Sequence, residues 1–151
     1  MLRKSRFLFG LLFAVPLFWF GCAGGRRPPL GVQNGRLRPC PSSPNCVSTQ
    51  SDDPARRMEA LSWRGAKADA KRRLLEVIAS MPRARVVSDE GDYIHAEFRS
   101  RLFRFVDDVE FLFDDAKEVI HFRSASRVGH SDLGVNRKRM ERIAKAFGPV
   151  E

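Results

Sequence analysis

Between residues 66 and 147 apolar and polar positions recur with two periods, and each change of period marks a new element. Ala70, Leu74, Val77, Ile78 and Met81 fall at i, i+4, i+7, i+8 and i+11, one face of a helix, with Lys67, Lys71 and Arg72 elsewhere. The spacing predicts a helix over 66–81, ended by Pro82, which lacks an amide proton and restricts the residue before it. A short strand over 58–63 precedes it. Period two follows: Ile94, Ala96 and Phe98 alternate with His95, Glu97 and Arg99, so one side of that strand is apolar and the other charged. Runs at 83–88, 93–102, 105–113 and 118–126 read as four strands, with Asp89-Glu90-Gly91-Asp92 and Asp114-Asp115-Ala116-Lys117 as turns. In the third run Phe105, Val109, Phe111 and Phe113 share a parity, with Asp107 intruding. Residues 100–104 contain neither Gly nor Pro, which leaves turn and bulge open.

A last helix is predicted over 132–147, capped by Ser131 or Asp132. Its apolar face carries Leu133, Met140, Ile143, Ala144 and Phe147, while Arg137, Lys138, Arg139, Arg142 and Lys145 cover much of the rest. Asn136 lies on the apolar face and needs a polar partner there. The order β-α-β-β-β-β-α makes the expected fold class α+β: a largely antiparallel sheet of four or five strands, both helices on one face and the other face solvated.

The N-terminus has a different pattern. Arg3, Lys4 and Arg6 precede an apolar run from Phe7 to Phe20, 14 residues and short of the ~20 that a membrane-spanning helix needs. Small residues then follow in Gly21-Cys22-Ala23-Gly24-Gly25. Residues 1–21 thus read as a signal peptide, and the Gly-Cys junction resembles a bacterial lipobox, which makes Cys22 the lipidation site. Trp19 and Phe20 depart from that pattern, so an uncleaved N-terminal anchor stays open. Either way the chain is expected to be exported and membrane-anchored, in the periplasm or outer membrane of a bacterium.

Residues 22–54, rich in Gly, Pro, Arg and Ser, read as a tether, and residues 55–151 as the α+β domain. Inside the tether Cys40 and Cys46 flank two prolines and two serines. With Cys22 assigned to lipid the remaining count is even, and an oxidising compartment favours a Cys40–Cys46 disulfide. A metal or redox pair is the alternative, though the spacing suits neither a zinc site nor a CxxC redox helix.

Charge narrows the partners. The chain carries 27 Lys and Arg against 18 Asp and Glu, a net +9, of which +6 remains once the leader is removed. A basic exported domain feels the anionic headgroups of its membrane, and export argues against nucleic acid. No phosphate loop, zinc finger, nucleophile elbow or HExxH helix is present, so no cofactor and no metal are expected. His95, His121 and His130 lack ligand spacing.

Three stretches carry a resemblance: CPSSPNCVS from Cys40, FVDDVEF from Phe105, and RSASRVGHSDLGVNRKRMERI from Arg123. They resemble, in order and across residues 37–147, the uncharacterised family known as domain of unknown function 1499. The resemblance implies an often exported or membrane-attached chain and no assigned activity.

The shared positions nominate Arg123, Ser124, Ser126, Arg127, Asn136 and Arg137, with Asp107 and Asp108, as candidate ligand-binding residues. One reading is architectural, with Arg123 and Arg127 paired to Asp107 and Asp108. The sharper one is a pocket in which the arginines hold a small anion or lipid headgroup by charge-assisted bonds. Catalytic residues are not assignable: His130, Ser131 and Asp132 are consecutive and cannot readily align as a triad, and Asp107 and Asp108 point to opposite faces of a strand. The expected function is a non-catalytic binding or scaffolding domain of the envelope. The alternative is an envelope hydrolase or a lipid-processing accessory enzyme. The protein partner is unknown.

Overall fold

In a computed structural model, which describes residues 29–148, alternation in the strands and periodicity in the helices meet across one apolar layer. The elements run β1 (Val32–Gln33), β2 (Arg36–Leu37), β3 (Cys46–Ser48), β4 (Leu61–Ser62), α1 (Lys67–Ser80), β5 (Ala84–Glu90), β6 (Tyr93–Arg99), β7 (Val106–Asp114), β8 (Val119–Ser126) and α2 (Val135–Phe147). The last four strands form a meander. The main sheet has the order β3-β8-β7-β6-β5, and β4 also pairs with β8. Every pairing is antiparallel, which makes the fold α+β as expected. β3 and β4 share the free edge of β8, Cys46–Ser48 opposite its C-terminal half and Leu61–Ser62 opposite its start, so the sheet has six strands.

Ile94, Ala96 and Phe98 of β6, Val109, Phe111 and Phe113 of β7, and Ile120 and Phe122 of β8 point to one side. Ala70, Leu74, Val77 and Ile78 of α1 and Met140, Ile143 and Phe147 of α2 close over them. Trp63 enters the same layer against Phe113, ring centroids 5.5 Å apart. Met81 leaves helical geometry one residue before Pro82, the restriction that proline imposes.

Four expectations are corrected. The last helix begins at Val135, not at residue 132, because Gly134 sits in the left-handed region (φ 78°) and Leu133 also has positive φ. Leu133 therefore lies outside the helix and is 87% exposed. Phe105 precedes β7 and is exposed, because residues 100–105 form a loop closed by Ser100, whose N–H donates to the Phe105 carbonyl and whose Oγ accepts the Phe105 N–H. The irregularity in the meander falls instead in β5, between Val86 and Ser88.

The remaining two concern the far side of the sheet. It was expected to be solvated, yet His95, Glu97, Asp108, Glu110 and Arg123 are buried there. What covers part of it is the stretch read as tether. From Pro29 onward that stretch bonds to the sheet, turning at Asn34-Gly35, both at positive φ as a two-residue hairpin requires, and contributing β1, β2 and β3.

Candidate functional site

The three motif stretches meet at two polar layers, one on each side of β7 and β8. Under the helices, Asn136 is fully buried, as its place on the apolar face demands. Its Nδ2 donates to the Asn45 carbonyl at 2.9 Å and to Ser126 Oγ at 3.1 Å. Its Oδ1 accepts from Ser124 Oγ at 2.6 Å and from Arg139 at 2.6 Å. Arg139 also donates to Asp107 and lies over the Phe98 ring, 4.9 Å from its centroid.

Asn45 joins the cysteine loop to this layer. The Cys40–Cys46 disulfide is present, its Cα atoms 5.7 Å apart. Within that loop Ser43 Oγ donates to Asn45 Oδ1, and Asn45 Nδ2 reaches the Gly129 carbonyl at 2.6 Å. The Asn45 carbonyl accepts the Ser126 N–H at 3.1 Å as well. Two motifs distant in sequence are thereby held by one buried side chain on each.

On the opposite side lie two charged groups. Arg123 Nε donates to Glu110 at 2.7 Å, its Nη1 to the carbonyls of Arg38 and Pro39, and its Nη2 to that of Pro29, with Glu110 2.5 Å away. Acceptors thus surround the whole guanidinium, which has five donors. Glu110 also accepts from Tyr93 at 2.8 Å and from the Gly31 N–H at 2.6 Å. Burial, with the Glu110 charge beside it, pushes the Tyr93 hydroxyl far above its ordinary pKa and keeps it a donor.

In the second group Arg127 donates to both oxygens of Asp108 and to Glu97, while His95 Nε2 is 2.7 Å from Asp108. The hydrogen bond with Asp108 holds the Arg127 guanidinium above its usual value, against the effect of burial. Burial alone would raise the Glu97 carboxyl, but bonds from Arg127 and Arg85 outweigh it and hold it below the ordinary carboxylate range.

The nominated residues are therefore divided. Ser124, Ser126, Asn136 and Asp107 lie under the helices, while Arg123, Arg127 and Asp108 lie on the other side. Of the expected pairings, Arg127 does meet Asp108, but Arg123 takes Glu110 and Asp107 takes Arg139. Arg137 joins neither group and donates to the carbonyl of Ala55. Ser131 and Asp132 bond to backbone N–H groups around the start of α2: Ser131 Oγ accepts from Leu133, and Asp132 accepts from Gly134 and Asn136. His130 is exposed.

Glu110, Arg139 and Glu97 were missed as members, whereas Asn45 lies in the Cys40–Ser48 motif. A signal existed for two of those missed, since Glu110 shares the parity of Asp108 in β7 and Arg139 follows Asn136 by one helical turn. Among the described residues no buried side-chain nitrogen or oxygen lacks a partner, and no cluster of three His, Cys, Asp or Glu is placed to hold a metal. No helix of the described residues is long and apolar enough to cross a membrane. The leader and Cys22 lie outside the described residues.

An antiparallel sheet backed by two helices, with its motif residues bonded to one another on both faces, defines a small α+β domain. Residues 36–147 match the family described as protein of unknown function (DUF1499), and the chain belongs to that family. No curated protein and no solved structure matches it.

Proposed function

We propose that this chain is an exported domain held at a membrane by its N-terminus, and that it binds or scaffolds there instead of catalysing a reaction. One observation carries the non-catalytic half: the polar side chains of the motif spend their bonding capacity on the chain itself. Arg123 faces Glu110 and three backbone carbonyls, Arg127 faces Asp108 and Glu97, and Asn136 has four partners. A catalytic or anion-binding group needs donors or acceptors left for its ligand. The motif is then the framework of the domain, and recognition falls to its outer surface.

Export is supported by the leader pattern and by the Cys40–Cys46 disulfide, a crosslink that persists in oxidising compartments and is rare where thiols are kept reduced. The test is the intact mass of the chain extracted from its native membranes, with thiol alkylation before and after reduction. Cleavage ahead of Cys22 with added acyl mass, and two cysteines alkylated only after reduction, is the expected result. An unprocessed chain with freely reactive Cys40 and Cys46 contradicts the proposal.

A further inference from the structure

We infer that the β6–β7 end of the sheet docks onto an anionic bilayer, with Arg83, Arg99, Arg101 and Arg104 holding lipid phosphates while Leu102, Phe103 and Phe105 enter the headgroup boundary. The inference rests on the membrane-attached reading above and names the surface that faces the lipid.

Scattered exposed apolar residues are ordinary, but a cluster is not. Of nine large apolar side chains exposed among the described residues, six lie at this end, in two loops and at the first residue of α2. Leu102 is 78% exposed, Phe103 69% and Phe105 52%, and the two phenylalanine rings stack with centroids 5.5 Å apart. The second loop brings Val128 and Leu133 and leads into Val135 at the start of α2, and it lies beside the first because the Arg127 N–H donates to the Val106 carbonyl. The first loop has a defined shape: both Ser100 bonds to Phe105 close it, and Arg104 takes a positive φ within it.

Beside these side chains lies a cleft of about 420 Å³ lined by Arg83, Arg85, Arg99, Arg101 and Arg104, with Glu97 as its carboxylate. Glu97 already accepts from Arg127 and Arg85. Among the described residues Arg101 and Arg104 make no ion pair or hydrogen bond, so they are available to phosphate oxygens. Arginine beside exposed leucine and phenylalanine is the chemistry of an interfacial membrane contact. The length of chain outside the structure selects a bilayer over a soluble partner. Pro29 is fixed by Arg123, and the seven residue steps from Cys22 to Pro29 span at most about 25 Å fully extended, which keeps the domain at the surface of any membrane that holds Cys22.

The test uses the full chain with Trp19→Phe and Phe103→Trp, mixed with vesicles of phosphatidylcholine alone or with phosphatidylglycerol, part of the phosphatidylcholine carrying brominated acyl chains. Flotation reads attachment, and quenching of the introduced indole reads docking; Trp63, buried, serves as the internal reference. Strong quenching on the anionic vesicles is expected. Adding Arg101→Ser and Arg104→Ser should lower the docked-to-undocked ratio about thirtyfold, roughly fivefold for each arginine, with the thermal melt unchanged. A chain that floats only with anionic vesicles and is quenched there supports docking while removing the N-terminal anchor. A chain that floats with an unquenched indole overturns docking alone, as does equal quenching on neutral vesicles or quenching that needs a second protein. A chain that floats with neither vesicle overturns both readings.

Discussion

Asp107 and Asp108 are adjacent in β7 and serve opposite faces of the sheet: Asp107 meets Arg139 beneath the helices, and Asp108 meets Arg127 and His95 on the other side. Alternation along the strand makes this unavoidable, and it turns two neighbouring carboxylates into anchors of two separate networks. Each network is buried, so each charge depends on its partner.

Removing one member of the helix-side pair should therefore cost much more than removing both. Arg139→Met alone leaves the Asp107 carboxylate buried without its cation, and about 3–5 kcal/mol of stability is expected to be lost. Combining it with Asp107→Leu should recover a large part of that loss. Urea denaturation of the two single variants and the double measures it, and additive losses would show that the residues act independently.

Asn136→Leu removes the side chain that satisfies the Asn45 carbonyl and the hydroxyls of Ser124 and Ser126. A loss of about 3 kcal/mol is expected, from buried groups left unsatisfied. Faster amide exchange at Ser126, whose N–H also bonds to Asn45, would localise it.

Opening the small loop tests the join from the other side. The seven-residue ring closed by Cys40 and Cys46 contributes roughly 2 kcal/mol through the entropy of the unfolded chain. Cys40→Ser with Cys46→Ser should lower the melting temperature, and reductant should lower that of the parent but not that of the variant.

Acid should destabilise the fold in two stages. Burial lowers the His121 pKa below its ordinary 6.5, so its contribution is complete above 6.5 and fades as pH falls below it, where the unfolded chain takes up a proton that the folded chain refuses. Glu97, also held below its ordinary 4.5, contributes fully above 4.5 and is lost as pH falls further. His121→Gln should flatten the first stage and Glu97→Gln the second, measured as denaturation midpoints across the acid range.

What the amino-acid pattern reveals here follows from what makes a pattern. Ala70, Leu74, Val77 and Ile78 mark α1 to within a residue at each end, and Ile94, Ala96 and Phe98 mark the inner side of β6, because each packs against the single apolar layer. Phe105 and Leu133 obey the same parities and yet face outward, since parity records an apolar side chain but not what covers it. The charged side of the sheet misleads for the converse reason. His95, Glu97, Asp108 and Glu110 alternate as a solvated face does, while part of what seals that face is backbone: the carbonyls of Pro29, Arg38 and Pro39 and the N–H of Gly31, in a stretch with no apolar period. Carbonyls leave no trace in side-chain periodicity. The Asn34-Gly35 dipeptide between Val32-Gln33 and Arg36-Leu37 was a usable hairpin signal within that stretch.

Replacing Arg123 and Arg127 together tests most directly whether the motif is framework or ligand site. With Arg123→Ala and Arg127→Ala, thermal denaturation in buffer with and without inorganic phosphate should show a collapsed or absent transition, because Glu110 and Asp108 lose the cations that bury them. A variant that melts like the parent, and that loses only a phosphate-dependent stabilisation the parent displays, would contradict the framework and place an anion site at these two arginines.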